Sequence, residues 1–152
     1  MWLIDMILWL KKNNHYVVKK YNHIDKKNEL DSSDDVATVK WGNDWYIPTY
    51  KDWNELRQNC RWLWCITKNG AVGYEITSKI NGNRIFLPAS SVDSVGNYWS
   101  STLDTTYSSY DLAQSVDFNS KTKRIYHELG FREEGHAVRP VKKHRKVIQR
   151  LR

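Results

Sequence analysis

The chain of 152 residues is poor in the residue types that define several protein classes. Two cysteines are too few for a disulfide-stapled scaffold or a four-cysteine zinc site. Seven glycines and three prolines exclude a collagen-like or proline-rich chain. No hydrophobic run reaches the roughly 20 residues of a membrane-spanning helix. A hydrophobic content of 40% with 27% charged residues instead predicts one globular domain.

The first ten residues are apolar except for Asp5, and Lys11 and Lys12 follow them. A secretory signal has the opposite order, with positive charge before the apolar run. We therefore expect a docked helix or strand here, within a partial or divergent N-terminal segment over residues 1–30. This interpretation includes neither a signal peptide nor a membrane span.

The net charge of +7 is concentrated at the C-terminus. Six of these seven charges come from residues 142–152, which contain no acidic residue. A basic tail of this kind can bind nucleic acid or an anionic membrane. A solvated basic end is the simpler interpretation, so we expect neither nucleic acid nor a membrane as the partner.

Residues 50–59 carry the clearest helix signal in the sequence. Three apolar residues lie at i, i+3 and i+7 on one stripe of such a helix: Trp53, Leu56 and Cys60. Thr49 precedes Asp52 by three residues, which is the spacing of a capping box. Residues 13–35 are polar and mixed in charge, and they predict an irregular connection.

After this helix the hydrophobic period changes from 3.6 to 2, which predicts short strands. They cover residues 62–67, 74–78, 84–88, 98–101, 110–119 and 137–141. Asn81 and Gly82 predict a tight type I′ turn, in which both residues have positive φ. Residues 84–88 are apolar on both faces and predict a buried central strand, whereas alternation in 110–119 predicts one wet face. One main helix followed by short antiparallel strands predicts an α+β domain.

Seven short motifs follow one another in an order that is specific. They are WYIPT (45–49), WNEL (53–56), NCRW (59–62), GYEITS (73–78), NGNRIFLPA (81–89), GNYWSST (96–102) and AVRPV (137–141). Together they resemble the Fibrobacter succinogenes major paralogous domain of Bacteroidetes, which has a C-type lectin-like fold related to the formylglycine-generating-enzyme branch. The resemblance implies a C-type lectin-like domain over residues 31–141, followed by the basic tail 142–152.

The resemblance also implies that the chain is shortened at its N-terminus, because residues 1–25 match the opening strand of the family only loosely. Family members are usually secreted or attached to the cell surface, although this chain shows no signal peptide. A truncated paralogue without a function of its own is therefore an alternative to a working module.

The calcium site of C-type lectins has no counterpart in the sequence. Such a site uses a Glu-Pro-Asn or Gln-Pro-Asp triplet with a later Trp-Asn-Asp, because Ca²⁺ needs about six to eight oxygen ligands. Neither triplet occurs, and WGND at 41–44 is a near match in the wrong place. The five histidines also lack zinc-site spacing. We expect no metal, no cofactor and no catalytic residues.

The oxidase branch of the fold uses a pair of reactive cysteines, and this chain has Cys60 and Cys65. They lie across the predicted helix–strand junction, where they can approach each other, although disulfide geometry is strict. A buried structural role for Cys60, which completes the stripe of the helix, is the favoured interpretation.

Residues 94–120 are rich in Ser, Thr, Tyr, Asn and Asp. Tyrosine gives rigid contact area, and serine and asparagine give adaptable hydrogen bonds, as in binding loops. The candidate ligand-binding residues are Tyr98, Tyr107, Tyr110, Asp111 and Asn119. The alternative is that Tyr98 and Trp99 fill the core. We expect a non-catalytic, calcium-independent module that binds a protein or a glycan.

Overall fold

The computed structural model describes residues 19–90, 94–106, 111–122 and 124–143. Within these ranges the chain forms the following elements: α1 (Val36–Trp41), β1 (Trp45–Tyr46), α2 (Tyr50–Asn59), β2 (Cys60–Ile66), β3 (Val72–Ser78), β4 (Arg84–Pro88), β5 (Val95–Leu103), β6 (Leu112–Asn119), β7 (Ile125–Phe131) and β8 (Val141–Lys142). The fold is mixed α+β, with mostly antiparallel strands and few helices, which confirms the predicted class.

The strands form two three-stranded sheets and one two-stranded ribbon. The first sheet has the order β2-β3-β4, and the second has the order β5-β6-β7. The ribbon pairs β1 with β8, so that Tyr46 lies opposite Val141. This pairing brings the segment just before α2 together with the last described strand.

The predicted helix at residues 50–59 is confirmed as α2. Its capping box is present, because the Thr49 hydroxyl accepts from the Asp52 N–H at 3.1 Å and the Asp52 carboxylate accepts from the Thr49 N–H at 2.9 Å. The apolar stripe faces the core, where Trp53 is 3% exposed. The Trp53 indole N–H donates to the Trp99 carbonyl at 3.3 Å, which fastens the helix to β5.

The main core lies between α2 and the two sheets. Its buried residues are Trp53, Tyr74, Ile76, Leu87, Tyr98, Val116 and Phe118. Tyr74 and Phe118 meet edge to face, with ring centroids 5.2 Å apart. Gly96 permits this packing, because a Cβ at that position would lie 2.1 Å from the Phe118 ring. A second, smaller cluster contains Tyr21, Trp99, Leu103 and Ala113.

Strand β4 lies at a sheet edge, so the predicted central position of residues 84–88 is wrong. The central strand of the first sheet is β3. Leu87 is fully buried, whereas Ile85 is 36% exposed. The strand is apolar on both faces because Leu87 faces the core while Phe86 points to the outer face of the sheet.

The predicted wet face of residues 110–119 is also wrong in the middle of β6. Ala113 and Ser115 are each 1% exposed. The second cluster covers this face, because Ala113 packs there with Tyr21, Trp99 and Leu103. The Ser115 hydroxyl remains paired, since it donates to the Asp117 carboxylate at 2.8 Å.

The connection between β3 and β4 is a longer loop, 79–83, and the predicted type I′ turn does not form. Gly82 has φ of 74°, but Asn81 is not among the residues with positive φ. Lys79 provides the reason, because its N–H donates to the Asn59 carbonyl at 3.0 Å. Its side chain also donates to the preceding carbonyl of α2 at 2.7 Å. The loop is thereby tied to the end of α2.

Helix α1 and strand β7 are two elements that the sequence patterns did not predict. Helix α1 begins after Asp35, whose carboxylate accepts from the N–H groups of Ala37, Thr38 and Ile47 at 2.8, 3.1 and 2.8 Å. Its helix signal is weak because three of its residues are β-branched. Strand β7 is a partly exposed edge strand whose burial does not alternate cleanly.

Residues 19–35 are irregular, as predicted, and a buried cation holds them against the second sheet. Arg132 is 1% exposed. Its guanidinium donates to the carbonyls of Lys20, Tyr21 and Leu112 at 3.3, 3.1 and 3.4 Å. This part of the predicted N-terminal segment therefore packs on the same folded unit. Residues 1–18 and the tail beyond residue 143 lie outside the described residues, as do the predictions made for them.

Asp34 reinforces this attachment. Its carboxylate accepts hydrogen bonds from the Lys20 amine at 2.8 Å and from the Tyr21 hydroxyl at 2.5 Å. Burial works to raise the pKa of Asp34, but these hydrogen bonds outweigh it and hold that pKa below its ordinary value. The ionised carboxylate is therefore the form that stabilises the fold.

Replacement of Arg132 by alanine should destabilise the fold by about 2–4 kcal/mol, because buried carbonyls lose their donor and a cavity forms. The midpoint of thermal unfolding, measured by circular dichroism, should fall by roughly 5–15 °C. Arg124→Ala removes an exposed arginine and should change the midpoint little. Equal midpoints for the two variants would contradict the role of Arg132.

Asp34→Asn should make stability less sensitive to acid. A carboxyl whose pKa is lowered by folding stabilises the protein above its unfolded pKa and loses that contribution as pH falls through the folded pKa. The free energy of unfolding in urea should therefore fall between pH 7 and about pH 3, and Asp34→Asn should reduce this fall by about 1 kcal/mol. In the control Glu133→Gln, which changes an exposed residue, the free energy of unfolding should fall with pH as much as in the parent. Parallel pH profiles for the parent and Asp34→Asn would count against the role of this carboxylate.

Candidate functional site

Tyr98, the first candidate ligand residue, belongs to the core. It is 4% exposed, and its hydroxyl donates to the Pro88 carbonyl at 2.6 Å. Burial raises the pKa of Tyr98 to about 12. Trp99 is 3% exposed on the other side of the sheet. The alternative interpretation, in which both rings fill the core, is therefore confirmed, and neither ring offers a face to a ligand.

Asp111 and Asn119 flank β6 and lie far from each other. The Asp111 carbonyl accepts from the Arg132 N–H at 2.9 Å. The Asn119 side chain accepts from the N–H and hydroxyl of Thr122 at 2.8 and 3.0 Å, which orders the turn after β6. A strand of 8 residues separates them by about 26 Å. The structure therefore does not unite them in one small site. Tyr107 and Tyr110 lie outside the described residues.

A groove runs along one side of α2 and consists of two adjoining cavities. The cavities have volumes of about 320 and 240 Å³ and share Asp52, Leu56 and Ile85. The first cavity lies between α2 and the β3–β4 hairpin, and the second lies between α2 and the β1–β8 ribbon. We call the whole feature the α2 groove.

The first cavity has an apolar floor and a polar rim. The apolar lining consists of Leu56, Cys60, Ile76 and Ile85, with Ile80 at its edge, and the polar lining consists of Asp52, Glu55, Asn59, Ser78, Asn81 and Asn83. Ile80 is 83% exposed at the tip of the loop that Lys79 ties to α2. Amide and carboxylate groups on the rim can donate and accept hydrogen bonds above this floor.

The second cavity is more apolar and carries two cations. Its lining consists of Trp45, Pro48, Asp52, Trp53, Leu56, Ile85, Arg139, Pro140, Val141 and Lys142. The Lys142 amine lies 5.8 Å from the centroid of the Trp45 ring, within reach of a cation–π attraction. Trp41, which is 54% exposed, extends the aromatic surface beside Trp45, with ring centroids 6.3 Å apart.

Asp52 stands where the two cavities meet, and its carboxylate is already engaged. It accepts from the Thr49 N–H and hydroxyl at 2.9 and 2.8 Å. Burial, together with the charge of this carboxylate, raises the pKa of Tyr46. Asp52 is thus held at the start of α2, close to Tyr46 of β1, and Glu55 is the exposed carboxylate of the lining.

Sequence analysis placed none of these groove residues in a site. Trp45 and Pro48 belong to the first family-like motif, and Arg139 belongs to the last. The β1–β8 pairing brings these motifs to one wall of the second cavity. The motifs therefore pointed to residues of this cavity, but their order along the sequence does not reveal that the first and the last motif lie side by side.

Cys60 and Cys65 are free thiols on opposite faces of the first sheet. Cys60 lies opposite Ser78 and Cys65 opposite Gly73 in the β2–β3 ladder. An odd separation along a strand sends side chains to opposite faces, so the two sulfurs do not approach each other. Cys60 packs against the main core, as predicted, and burial raises its pKa, an effect that Lys79 partly offsets.

No set of three His, Cys, Asp or Glu side chains in the described ranges is placed so that it could hold a metal ion. No helix among those residues is long and apolar enough to cross a membrane.

Comparison of the chain with protein-family models, with curated proteins and with solved structures finds no match. The family resemblance therefore rests on the seven sequence motifs. By its structure, the protein is a mixed α+β domain with a groove beside its main helix.

Both thiols should react with Ellman's reagent in urea without prior reduction. In the native protein near neutral pH, Cys60 should react at least about fivefold more slowly than it does in urea at the same pH. Burial restricts access to the thiol and raises its pKa, which lowers the thiolate fraction. The variants Cys60→Ser and Cys65→Ser assign each rate. Fewer than two reactive thiols in urea would contradict the separation of the two residues.

Proposed function

We propose that the chain is a non-catalytic, calcium-independent binding module of C-type lectin-like fold, which holds a protein or glycan ligand in the α2 groove. The observation that carries this proposal is the groove itself. It combines a partly exposed apolar floor with a rim of amide, carboxylate and basic groups, which is the usual composition of a binding site.

The order of the elements supports the finer fold assignment. A ten-residue helix followed by antiparallel strands is the order that resemblance to the Fibrobacter succinogenes major paralogous domain implies. The motifs at 45–49 and 137–141 also contribute the two strands of the β1–β8 ribbon and its flanks. Residues that are distant in the sequence but similar to family motifs thus meet beside the helix.

Exposed isoleucines on the groove support a role in binding. Ile80 is 83% exposed and Ile85 is 36% exposed, and both line the first cavity. Each square ångström of apolar surface that a ligand removes from water contributes about 25 cal/mol of favourable transfer free energy, which the costs of association partly offset. A ligand seated on this floor therefore covers apolar area that the folded chain leaves in solvent.

The carboxylates of the groove offer hydrogen-bond acceptors to a ligand. Asp52 accepts two hydrogen bonds from Thr49 on one oxygen, which fixes the start of α2 and leaves the other oxygen for a ligand. Glu55 is exposed to solvent, so a ligand can reach its carboxylate directly.

One variant and a matched control test the proposed site. Ile85→Asp places a charge in the wall that both cavities share, and Ile66→Asp places the same charge on a strand residue outside the groove that is 69% exposed. Ligands are first selected with the full chain from a random peptide library and a glycan array. Binding of a selected ligand should weaken at least about tenfold in Ile85→Asp and less than about twofold in Ile66→Asp.

Equal weakening in the two variants, or no weakening in either, contradicts the groove as the binding site. Thermal unfolding of both variants establishes that each is folded under the assay conditions. Affinity for the same ligand should be equal with added calcium and with a chelator, and loss of binding with the chelator contradicts calcium independence.

A further inference from the structure

Two basic side chains line the second cavity without an anionic partner among the described residues. Arg139 is half-buried and makes no hydrogen bond or ion pair with them. Lys142 contacts the Trp45 ring but no carboxylate. Arg132, by contrast, donates to three carbonyl groups. The guanidinium nitrogens of Arg139 are not buried, so a ligand carboxylate can reach them and form charge-assisted hydrogen bonds.

The one carboxylate in the lining of this cavity does not fill that role. Asp52 accepts two hydrogen bonds from Thr49 on one oxygen, and it forms no ion pair with Arg139 or Lys142. Arg139 also lies close enough to Tyr98 to act on its hydroxyl, which is neutral and donates to the Pro88 carbonyl. The cavity therefore presents two positive side chains and one carboxylate, and neither cation forms an ion pair with a described residue.

The rest of the wall is apolar, which decides what kind of anion fits. Its apolar members are Trp45, Pro48, Trp53, Leu56, Ile85, Pro140 and Val141. A sugar ring in this cavity would bury hydroxyl groups against a wall with few acceptors, which is unfavourable. An aliphatic or aromatic side chain fills the same 240 Å³ without unpaired polar groups. A carboxylate beside it can pair with a guanidinium through two parallel hydrogen bonds.

We infer that the second cavity binds an acidic peptide segment of a partner protein, with an apolar side chain in the cavity and a neighbouring carboxylate on Arg139 and Lys142. This inference rests on the proposed function and names the ligand class for that same groove. It selects a peptide over a glycan because the cavity is apolar apart from its charged groups.

Three blocked pentapeptides test the ligand class, each with a central leucine flanked on both sides by glutamate, glutamine or lysine. They are titrated against the full chain by calorimetry at low salt. The glutamate peptide should bind at least about tenfold more tightly than the glutamine peptide, and the lysine peptide should bind more weakly than both. Raising the salt concentration to about 0.5 M should narrow the difference between glutamate and glutamine.

Variants of the two cations test the site. Arg139→Gln and Lys142→Gln should each remove most of the advantage of the glutamate peptide. Lys143→Gln, one residue further and outside the lining, should retain it. Because Lys142 is exposed, Lys142→Gln should fold normally, so it still tests the site if Arg139→Gln is poorly folded. Circular dichroism of each variant establishes the fold.

Equal affinity for the glutamate and glutamine peptides overturns the inference, as does equal loss in Lys143→Gln. Absence of saturable binding by the glutamate peptide at millimolar concentration overturns it too. Binding of a hexuronic acid oligosaccharide that depends on Arg139, without binding of the glutamate peptide, replaces the acidic peptide with an acidic glycan. Failure of the proposed function is a separate result, because it requires that Ile85→Asp weakens the binding of the selected ligands no more than Ile66→Asp does.

Discussion

The burial of Trp53 holds α2 against the two sheets, and the groove exists because the helix is held there. Its ring lies in the main core at a centroid distance of 6.0 Å from Tyr98, and its indole N–H bonds to β5. The helix then has one face in the core and one side beside the β3–β4 hairpin and the ribbon. Those neighbours cannot close fully against it, and the space that remains forms the two cavities.

Buried polar groups fasten the irregular parts of the chain to this frame. Asp35 caps α1 and also receives the Ile47 N–H, which positions the segment that leads into α2. Arg132 performs the corresponding task for residues 19–35, where few apolar side chains are available to hold the chain. In both cases a charged group in a low-dielectric setting is stabilised because backbone groups satisfy its hydrogen-bonding capacity.

The α2 groove differs from these fastening sites in that its charges are not all compensated. Asp52 accepts two hydrogen bonds from Thr49, whereas Arg139 and Lys142 have no carboxylate partner within the described ranges. Its hydrophobic floor is likewise left partly in water at Ile80 and Ile85. A module with unpaired cations and exposed apolar side chains on one concave surface has the properties of a receptor for a complementary segment.

Local signals in the sequence determined α2 and the α+β class. The Thr49–Asp52 cap and the Trp53 stripe act within two turns of helix, so no distant residue was needed to predict them. Tertiary structure alone decided that β4 is an edge strand, that β6 is buried on both faces, and that Lys79 opens the hairpin into a loop. It also decided the site, because Trp45 and Arg139 meet through the register of β1 with β8. Strand order and register depend on contacts between distant segments, and a hydrophobic pattern read along one segment does not contain them.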